Sequence, residues 1–226
     1  GVKVGIISDG AVNYAEATAT GDLPASVQLF GVCNFGTTCN EGTAMAEIVH
    51  DIAPLASLAV GQLGTDLEFM KNIDDLVAVF DADVIVDDLS WYTEPYFQDG
   101  RVAQKVADVA DTVVYVTNAN NHAHEHYEAD FLGDDRGFHI FDPLSGVSGD
   151  KDLGITISAG LTLNVVMQWN DRWGVSTNDY DVAIIDEFGS TLQGSFGPQN
   201  GTQNPSEYFA YTNSSLVSKT VYLIII

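Results

Sequence analysis

The residue with the clearest chemical potential in this sequence is Glu41, which stands where a buried helix is predicted to begin. Apolar residues recur at helical spacing over residues 43–52, and Pro54 prevents the helix from continuing. Gly42 or Thr43 can cap the first turn. Because the free N–H groups and the dipole at a helix start favour negative charge, the pattern predicts a carboxylate held just outside the first turn.

Other polar residues follow predicted strands. Asp9 comes after the first apolar run, Asp87 and Asp88 follow a second, and asparagines crowd residues 118–121. Carboxylates can accept protons, as acid–base chemistry requires, and amides can donate hydrogen bonds to developing negative charge. In a parallel sheet the carboxyl ends of the strands share one edge, so these residues are expected to meet there.

The elements that would position these side chains alternate in type as far as about residue 143. Predicted strands cover residues 2–7, 56–60, 84–86 and 113–116, and predicted helices cover residues 43–52, 67–79 and 101–110. Short apolar strands separated by amphipathic helices are typical of an α/β fold with a parallel sheet.

The second part of the chain has a different rhythm, with strands and turns but no helical pattern. Glycine, asparagine, serine and proline separate strand candidates at residues 155–158, 161–169, 181–185, 191–194, 207–212 and 219–226. Such spacing predicts a β-sandwich. We therefore expect two domains, 1–146 and 147–226, with the boundary in the glycine- and aspartate-rich segment 145–152.

Composition narrows the possible partners. The 226 residues include 32 acidic and 8 basic side chains, a formal net charge of −24, which opposes binding to nucleic acid or to an anionic membrane surface. No apolar run is long enough to span a membrane, and 46% hydrophobic residues suffice for a sizeable core. The chain begins directly on a strand-like run, as a processed or excised segment would. The acidic excess suits a secreted protein in salty surroundings.

Cys33 and Cys39 are the only cysteines and flank a turn-rich segment. Their spacing favours a local disulfide in an oxidising compartment over a zinc site, because no further ligands stand nearby. The alternative is a pair of reduced surface thiols. A disulfide here would stiffen the loop that presents Glu41.

Several motifs in order carry a family resemblance. Residues 4–10, VGIISDG, resemble the first strand and catalytic aspartate of subtilisin-like peptidases, and Glu41-Gly42-Thr43 stands where His-Gly-Thr opens the helix of the catalytic histidine. Residues 83–90 are similar to the strand that walls the substrate cleft, and residues 113–121 to the strand ending in Ser-Ala-Gly-Asn. With glutamate in place of histidine, the chain resembles the sedolisin-like branch of this superfamily.

The resemblance implies roles for individual residues. Glu41 would be the general base, Asp9 the carboxylate that orients it, and Asn121 the oxyanion donor, with Asn120 replacing a glycine in a left-handed conformation. An ungapped match places Ser8 rather than Asp9 on the family's aspartate. Because an unperturbed glutamate has a pKa of about 4.3, activity is expected to favour acidic conditions.

The cleft residues leave an alternative for the second acid. The resemblance places Asp87, Asp88, Ser90 and Trp91 along the substrate cleft, where Asp87 or Asp88 could replace Asp9 as the partner of the base.

The resemblance is incomplete, because no Gly-Thr-Ser-x-Ala-Pro nucleophile motif is present. Ser195 is the nearest serine candidate, and its sequence is that of a turn. In some secreted members of the superfamily a β-sandwich is inserted after the oxyanion strand and the serine segment follows it. Residues 161–195 resemble that insert, which is similar to pre-peptidase C-terminal domains. The fold expected is thus an incomplete subtilisin-like α/β sandwich followed by a β-sandwich.

Two groups of side chains are candidates for metal binding. His122, His124 and His126 alternate, so an extended strand would place three imidazoles on one face, as a Zn²⁺ or Cu²⁺ site requires. Asp179 and Asp181, like the acidic turn at residues 134–137, offer oxygen ligands that suit Ca²⁺. A solvated loop and ordinary aspartate turns are the alternatives, and the expected activity requires no cofactor.

Two functions remain for the chain. The first is the front portion of a secreted serine endopeptidase whose partners are a peptide or protein substrate and the remainder of its own polypeptide, this chain being inactive alone. The second is a non-catalytic extracellular pseudo-peptidase, a structural or binding module that self-associates through exposed strand edges.

Overall fold

The computed structural model describes residues 1–33, 38–142 and 150–226. The chain forms two compact units, one of residues 1–94 and 99–126 and the other of residues 95–98 and 127–226. The first is a parallel sheet with helices and the second is built of antiparallel sheets, so the mixed α/β class is confirmed. The boundary predicted between residues 146 and 147 lies outside the described residues.

The first unit contains a five-stranded parallel sheet in the order β2-β3-β1-β4-β5. Its strands are β1 (Lys3–Ser8), β2 (Val27–Gly31), β3 (Ser57–Gln62), β4 (Val84–Asp87) and β5 (Val114–Val116). Its helices are α1 (Tyr14–Thr20), α2 (Glu41–Ile52), α3 (Asp66–Asp75) and α4 (Arg101–Val109), and a π-helical turn, Leu76–Phe80, continues α3.

Both faces of this sheet are covered by helices. Ile6, Leu58 and Val60 pack with α1 and α2 on one face, and Ile7 and Ile85 pack with α3 and α4 on the other. Because neighbouring residues of a strand point to opposite faces, strands buried on both sides are apolar at nearly every position. This continuous apolar character is what made β1, β3 and β4 recognisable in the sequence.

The connection that contains α2 has an unusual hand. The chain passes from β1 to β2 in one direction and from β2 to β3 in the other, yet α1 and α2 cover the same face. Two such connections must differ in hand. The connection through α1 runs in the opposite direction to those through α3 and α4 and lies on the opposite face, so all three have the same hand. About 98% of parallel crossovers are right-handed. The connection through α2 is therefore left-handed.

Two elements of this unit were absent from the sequence prediction. Helix α1 has seven residues, is rich in alanine and threonine, and buries only Ala17. Strand β2 alternates half-buried and exposed positions at the edge of the sheet. Both elements bury too little apolar surface to leave a clear periodic pattern.

The second unit contains a two-stranded sheet, β10-β7, and a four-stranded sheet, β6-β11-β8-β9. Its strands are β6 (Leu153–Ile157), β7 (Thr162–Gln168), β8 (Val182–Ile185), β9 (Thr191–Ser195), β10 (Ser206–Thr212) and β11 (Lys219–Ile225). Side chains of both sheets, among them Val165, Ile184, Phe209 and Val221, share one hydrophobic core. No helix in the described residues has the length and apolar character needed to cross a membrane.

Candidate functional site

The strand order of the first unit places a topological switch point at the carboxyl ends of β1 and β4, and open α/β sheets form their crevice at such a point. The connection that leaves β1 runs toward β2 and that which leaves β4 runs toward β5, so the chain diverges from these two neighbours. Ligand sites of open α/β sheets form at such a switch point. Here Ser8 ends β1 and Asp87 ends β4, and both are followed by a further aspartate.

Backbone hydrogen bonds join the start of α2 to the chain that leaves β1. The Gly42 N–H donates to the Gly10 carbonyl at 2.9 Å, and the Val12 N–H donates to the Cys39 carbonyl at 3.0 Å. A Cβ at Gly42 would lie 2.6 Å from the Gly10 oxygen, so only glycine permits this approach. The first turn of α2 is thereby fixed beside the crevice.

The disulfide between Cys33 and Cys39 supports the same junction. Its Cα atoms are 6.1 Å apart, and Gly10 packs against it so closely that an added Cβ would lie 2.6 Å from the Cys39 Cβ. The intervening loop, residues 34–37, lies outside the described residues. Cys39 itself is fully buried and leads directly into α2.

Helix α2 begins two residues earlier than its apolar pattern predicts. Asn40 occupies the N-cap and Glu41 is the first helical residue, so the glutamate lies within the first turn rather than just outside it. The Asp9 carboxylate accepts the Glu41 N–H at 3.1 Å. Asp9 therefore supplies the cap that the Asn40 side chain does not provide.

Ser8 and Asp88 form a pair that the sequence interpretation did not identify. Ser8 is fully buried, and its hydroxyl donates to Asp88 Oδ2 at 3.2 Å. Strand register explains the pairing: Val4 lies opposite Val84 and Ile6 opposite Val86, so the same parity brings Ser8 level with Asp88. Given the pairing of β1 with β4, this parity could have been read from the sequence.

The pKa of Asp88 is raised well above that of an ordinary aspartate. Burial, and then the negative charge of Glu41, raise the pKa of Asp88 to about 6, with a smaller contribution from Asp9. Its Oδ1 is buried and has no hydrogen-bond partner among the described residues. The Glu41 side chain is exposed at the start of α2. Three carboxylates thus surround this helix start, and Asp88 keeps its proton to a higher pH than an ordinary aspartate.

Asp87 faces the opposite side of the sheet. It is buried, accepts the Thr117 hydroxyl at 3.0 Å and the Leu89 N–H at 3.3 Å, and burial raises its pKa. These bonds tie the end of β4 to the chain beyond β5. Of the other predicted cleft residues, Ser90 is exposed, and Trp91 packs edge-to-face on Phe69 with ring centroids 5.8 Å apart.

The asparagine segment forms a tight turn after β5. Asn120 has φ +65°, the left-handed conformation expected where the resemblance implies glycine. Its N–H is accepted by Asn118 Oδ1 at 2.6 Å, and its side-chain amide contacts the Tyr92 hydroxyl at 3.4 Å. Asn121 follows on the exposed surface, and its N–H donates to Asn120 Oδ1.

The candidate metal ligands have other contacts. His122 Nδ1 lies 2.6 Å from Glu125 Oε2, and His124 and His126 are exposed. In the second unit, Asp179 accepts the Gln199 N–H at 3.0 Å, and burial raises the pKa of Asp181. Within residues 1–33, 38–142 and 150–226, no three His, Cys, Asp or Glu side chains form a group that could hold a metal ion.

Ser195 is a partner of a buried carboxylate. Its hydroxyl donates to Glu207, which also accepts the Gly197 N–H at 3.1 Å and the Gln199 side-chain amide at 2.7 Å. Glu207 is 4% exposed, and it needs these donors because a buried carboxylate is otherwise costly. The serine therefore satisfies Glu207 inside the antiparallel unit, and it lies at the last residue of β9 rather than in the predicted turn.

No model of a known protein family matches this chain, and no curated protein is similar to it. Among solved structures, it is compared with a protein of Lactobacillus plantarum from a structural genomics consortium, over 100% of this chain and 98% of that one. The sequence identity is 10% and the TM-score 0.20, so this similarity carries no argument about fold or function.

Proposed function

We propose that this chain is the front portion of a secreted serine endopeptidase with a subtilisin-like α/β domain and a β-sandwich insert, and that Glu41 is its general base. The observation that carries the proposal is the grouping of acids at the switch point, where Asp9 accepts the Glu41 N–H and Asp88, bonded to Ser8, lies near enough to Glu41 for that charge to raise its pKa. Grouped carboxyl groups are a recurring device for acid–base chemistry.

The roles follow from the contacts of each group. Glu41 is exposed and would take the proton from a serine hydroxyl during its attack on the peptide carbonyl. Asp88 is half-buried and tied to Ser8, and would share the proton that Glu41 takes from the serine. Asp9 is engaged by the Glu41 N–H, so Asp88 is better placed than Asp9 to orient the base.

The remaining parts of the reaction are assigned by resemblance. The Asn121 amide would stabilise the oxyanion, and the left-handed Asn120 supports this assignment because it turns the chain where the family motif has glycine. The nucleophilic serine is proposed to belong to a part of the polypeptide outside this chain. No cofactor is assigned, because carboxylates and amides suffice for the proton transfers.

The test uses the complete natural polypeptide and internally quenched peptides between pH 3 and pH 8. We expect hydrolysis that is fastest in the acidic range, and a decrease in kcat of about 100-fold or more for Glu41→Gln. Glu47→Gln, on the same helix, is the control and should retain activity. A flat rate between pH 4 and pH 8, or a fully active Glu41→Gln enzyme, would count against the proposal.

A second candidate is a non-catalytic module that self-associates. It is favoured by edge strand β5, where Val114 is 62% and Val116 49% exposed. An exposed apolar strand edge can pair with another chain. If this is the function, Val116→Lys should abolish self-association of the chain in sedimentation experiments, while Val79→Lys, at another exposed valine, should not. A wild-type chain that is monomeric at all concentrations would exclude it.

A further inference from the structure

The second unit carries two Asn-x-Ser/Thr sequences with opposite surroundings. One is Asn200-Gly201-Thr202, in the turn between β9 and β10, and the other is Asn213-Ser214-Ser215, directly after β10. This pattern is the acceptor sequence for N-linked glycans in exported proteins. The Asn-Pro-Ser sequence at Asn204 is excluded by its proline.

The hydrogen bonds of the Asn213 side chain make it unavailable for glycosylation in the folded protein. It is 1% exposed, and its side-chain nitrogen donates to the Ile157 carbonyl and to the Val217 carbonyl, both at 2.9 Å. Its Oδ1 accepts the Ser215 hydroxyl at 2.7 Å. Because both amide hydrogens are used inside the fold, a glycan on this nitrogen would replace one of them and break its hydrogen bond.

Asn200 has the opposite surroundings. It is exposed, and the structure shows no bond from its side-chain nitrogen to an acceptor within the described residues. Its Oδ1 contacts the hydroxyl of Thr202 at 3.4 Å, which brings together the two side chains that define the acceptor pattern. The backbone of this turn is fixed by a hydrogen bond, because the Gly201 N–H donates to the Ser176 carbonyl at 2.7 Å. A group attached at this turn would project from the fold without disturbing it.

We propose that Asn200 is an N-glycosylation site of this protein and that Asn213 is not. In the reaction, Asn200 Nδ2 forms a bond to the anomeric carbon of a lipid-phosphate-linked oligosaccharide, supplied by a glycosyltransferase of the export pathway. The bond from that carbon to the phosphate oxygen breaks, the lipid phosphate leaves with the electron pair, and the amide nitrogen loses one proton. No oxidation or reduction is involved.

The proposal rests on export, which is also part of the proposed function, but not on peptidase activity. The Cys33–Cys39 disulfide is compatible with an exported protein. Because the test reads mass rather than hydrolysis, a missing glycan would leave the peptidase proposal untouched. An inactive but glycosylated protein would do the reverse.

The experiment analyses the protein secreted by its natural source. A protease that cleaves after glutamate separates the two asparagines, leaving Asn200 in fragment 188–207 and Asn213 in the fragment that begins at residue 208. We expect a sugar mass on the first fragment alone, and conversion of Asn200 to aspartate by an amidase that releases N-glycans. An unmodified first fragment, or a sugar on the second, would overturn the proposal.

Two variants secreted from the same source serve as matched tests. Thr202→Ala should remove the whole glycan while leaving Asn200 in place, and Ser215→Ala should leave the glycan unchanged. Asn200→Gln is a second exposed substitution for the case in which Thr202→Ala lowers the yield. A glycan that survives both Thr202→Ala and Asn200→Gln would contradict the assignment.

Discussion

At the scale of single residues, Asp88 shows how a strand can place an acid where water cannot fully solvate it. The carboxyl is half-buried beside Ser8, near the charge of Glu41, and one of its oxygens has no partner among the described residues. Its environment therefore favours the protonated form. The raised pKa of Asp88 has a measurable consequence for stability.

The first prediction concerns Asp88→Asn. The folded chain keeps the Asp88 proton to a higher pH than the unfolded chain, so this group lowers the free energy of unfolding as pH rises from about 4 to above 6. The amide lacks that titration and can still accept from Ser8. We expect a gain of about 1–2 kcal/mol at pH 8, because solvent screening weakens the effect at this half-buried group, and little change at pH 4, measured by urea unfolding of the chain.

The control is Asp108→Asn, an exposed aspartate on α4. It should change the free energy of unfolding equally little at both pH values. Equal stability of wild type and Asp88→Asn at pH 8 would show that Asp88 is not destabilised by its charge.

His139 gives a pH effect of opposite sign in the second unit. It is 3% exposed, its Nδ1 accepts the Leu132 N–H at 3.1 Å, and its Nε2 lies 2.9 Å from the Tyr127 hydroxyl. Burial lowers its pKa. Since an Nδ1 that accepts a hydrogen bond carries no proton, the folded unit holds the neutral imidazole.

The second prediction is that the second unit becomes less stable as pH falls below about 6.5, because the unfolded chain then binds a proton that folded His139 refuses. The free energy of unfolding of this unit should therefore fall between pH 7 and pH 5. His139→Gln should be less stable at pH 7 but lose this pH dependence in thermal unfolding. His124→Gln, at an exposed histidine, should keep it; a pH-independent wild type would contradict the assignment.

At the scale of elements, the junction between β1 and α2 decides where Glu41 stands. Three parts meet there without room for another atom: Gly10, Gly42 and the disulfide. The left-handed connection through α2 brings the helix back across the sheet on the face that α1 already covers. Close packing of Gly42 on Gly10 allows α2 to begin beside the chain that leaves β1.

The third prediction tests this junction with Gly42→Ala. The added Cβ would lie 2.6 Å from the Gly10 carbonyl oxygen and 3.0 Å from the Val60 side chain, so the helix must shift. We expect a loss of about 1–3 kcal/mol in the free energy of unfolding, as for overpacking. If the complete polypeptide is the proposed peptidase, its activity should fall with stability because Glu41 moves.

A glycine with room supplies the comparison. A Cβ at Gly154 would meet only the Tyr222 ring, at 3.8 Å, and Gly154→Ala should be close to neutral. If both substitutions had the same effect on urea unfolding, the close approach at Gly42 would not be what fixes the helix.

At the scale of the whole molecule, the main feature is the large excess of negative charge. A formal net charge of −24 on 226 residues means that most carboxylates lack a cationic partner, since only 8 basic residues exist. Ion pairs such as Lys71–Asp75 and Lys105–Asp74 use several of these cations in the first unit. Self-repulsion of the excess charge opposes the compact state.

The fourth prediction is that salt stabilises the chain. Raising NaCl from 0.1 M to 1 M shortens the screening length from about 10 Å to about 3 Å. We expect a gain of about 1 kcal/mol or more, seen as a rise of several degrees in Tm. A variant with Asp108, Asp130 and Asp135 all changed to asparagine should respond less. An unchanged Tm in wild type would indicate that self-repulsion is negligible.

The sequence by itself determined the elements whose side chains are buried on both sides or alternate regularly. Strands β1, β3 and β4, helices α2 and α3 and most strands of the second unit were predicted within a few residues, because burial imposes a period on the chain. Glu41 at a helix start also followed from local chemistry, whereas the left-handed Asn120 was implied by the family resemblance.

Only the tertiary structure decided which acids face one another. Asp87 and Asp88 are neighbours in sequence, yet strand alternation sends one toward Thr117 and the other toward Ser8. Likewise, one residue of register made Asp9 a cap for α2 and Ser8 the buried partner of Asp88. The two glycan acceptor patterns are equivalent in sequence and differ only in burial. Such pairings depend on strand order, which no local pattern encodes, because they join residues far apart in the chain.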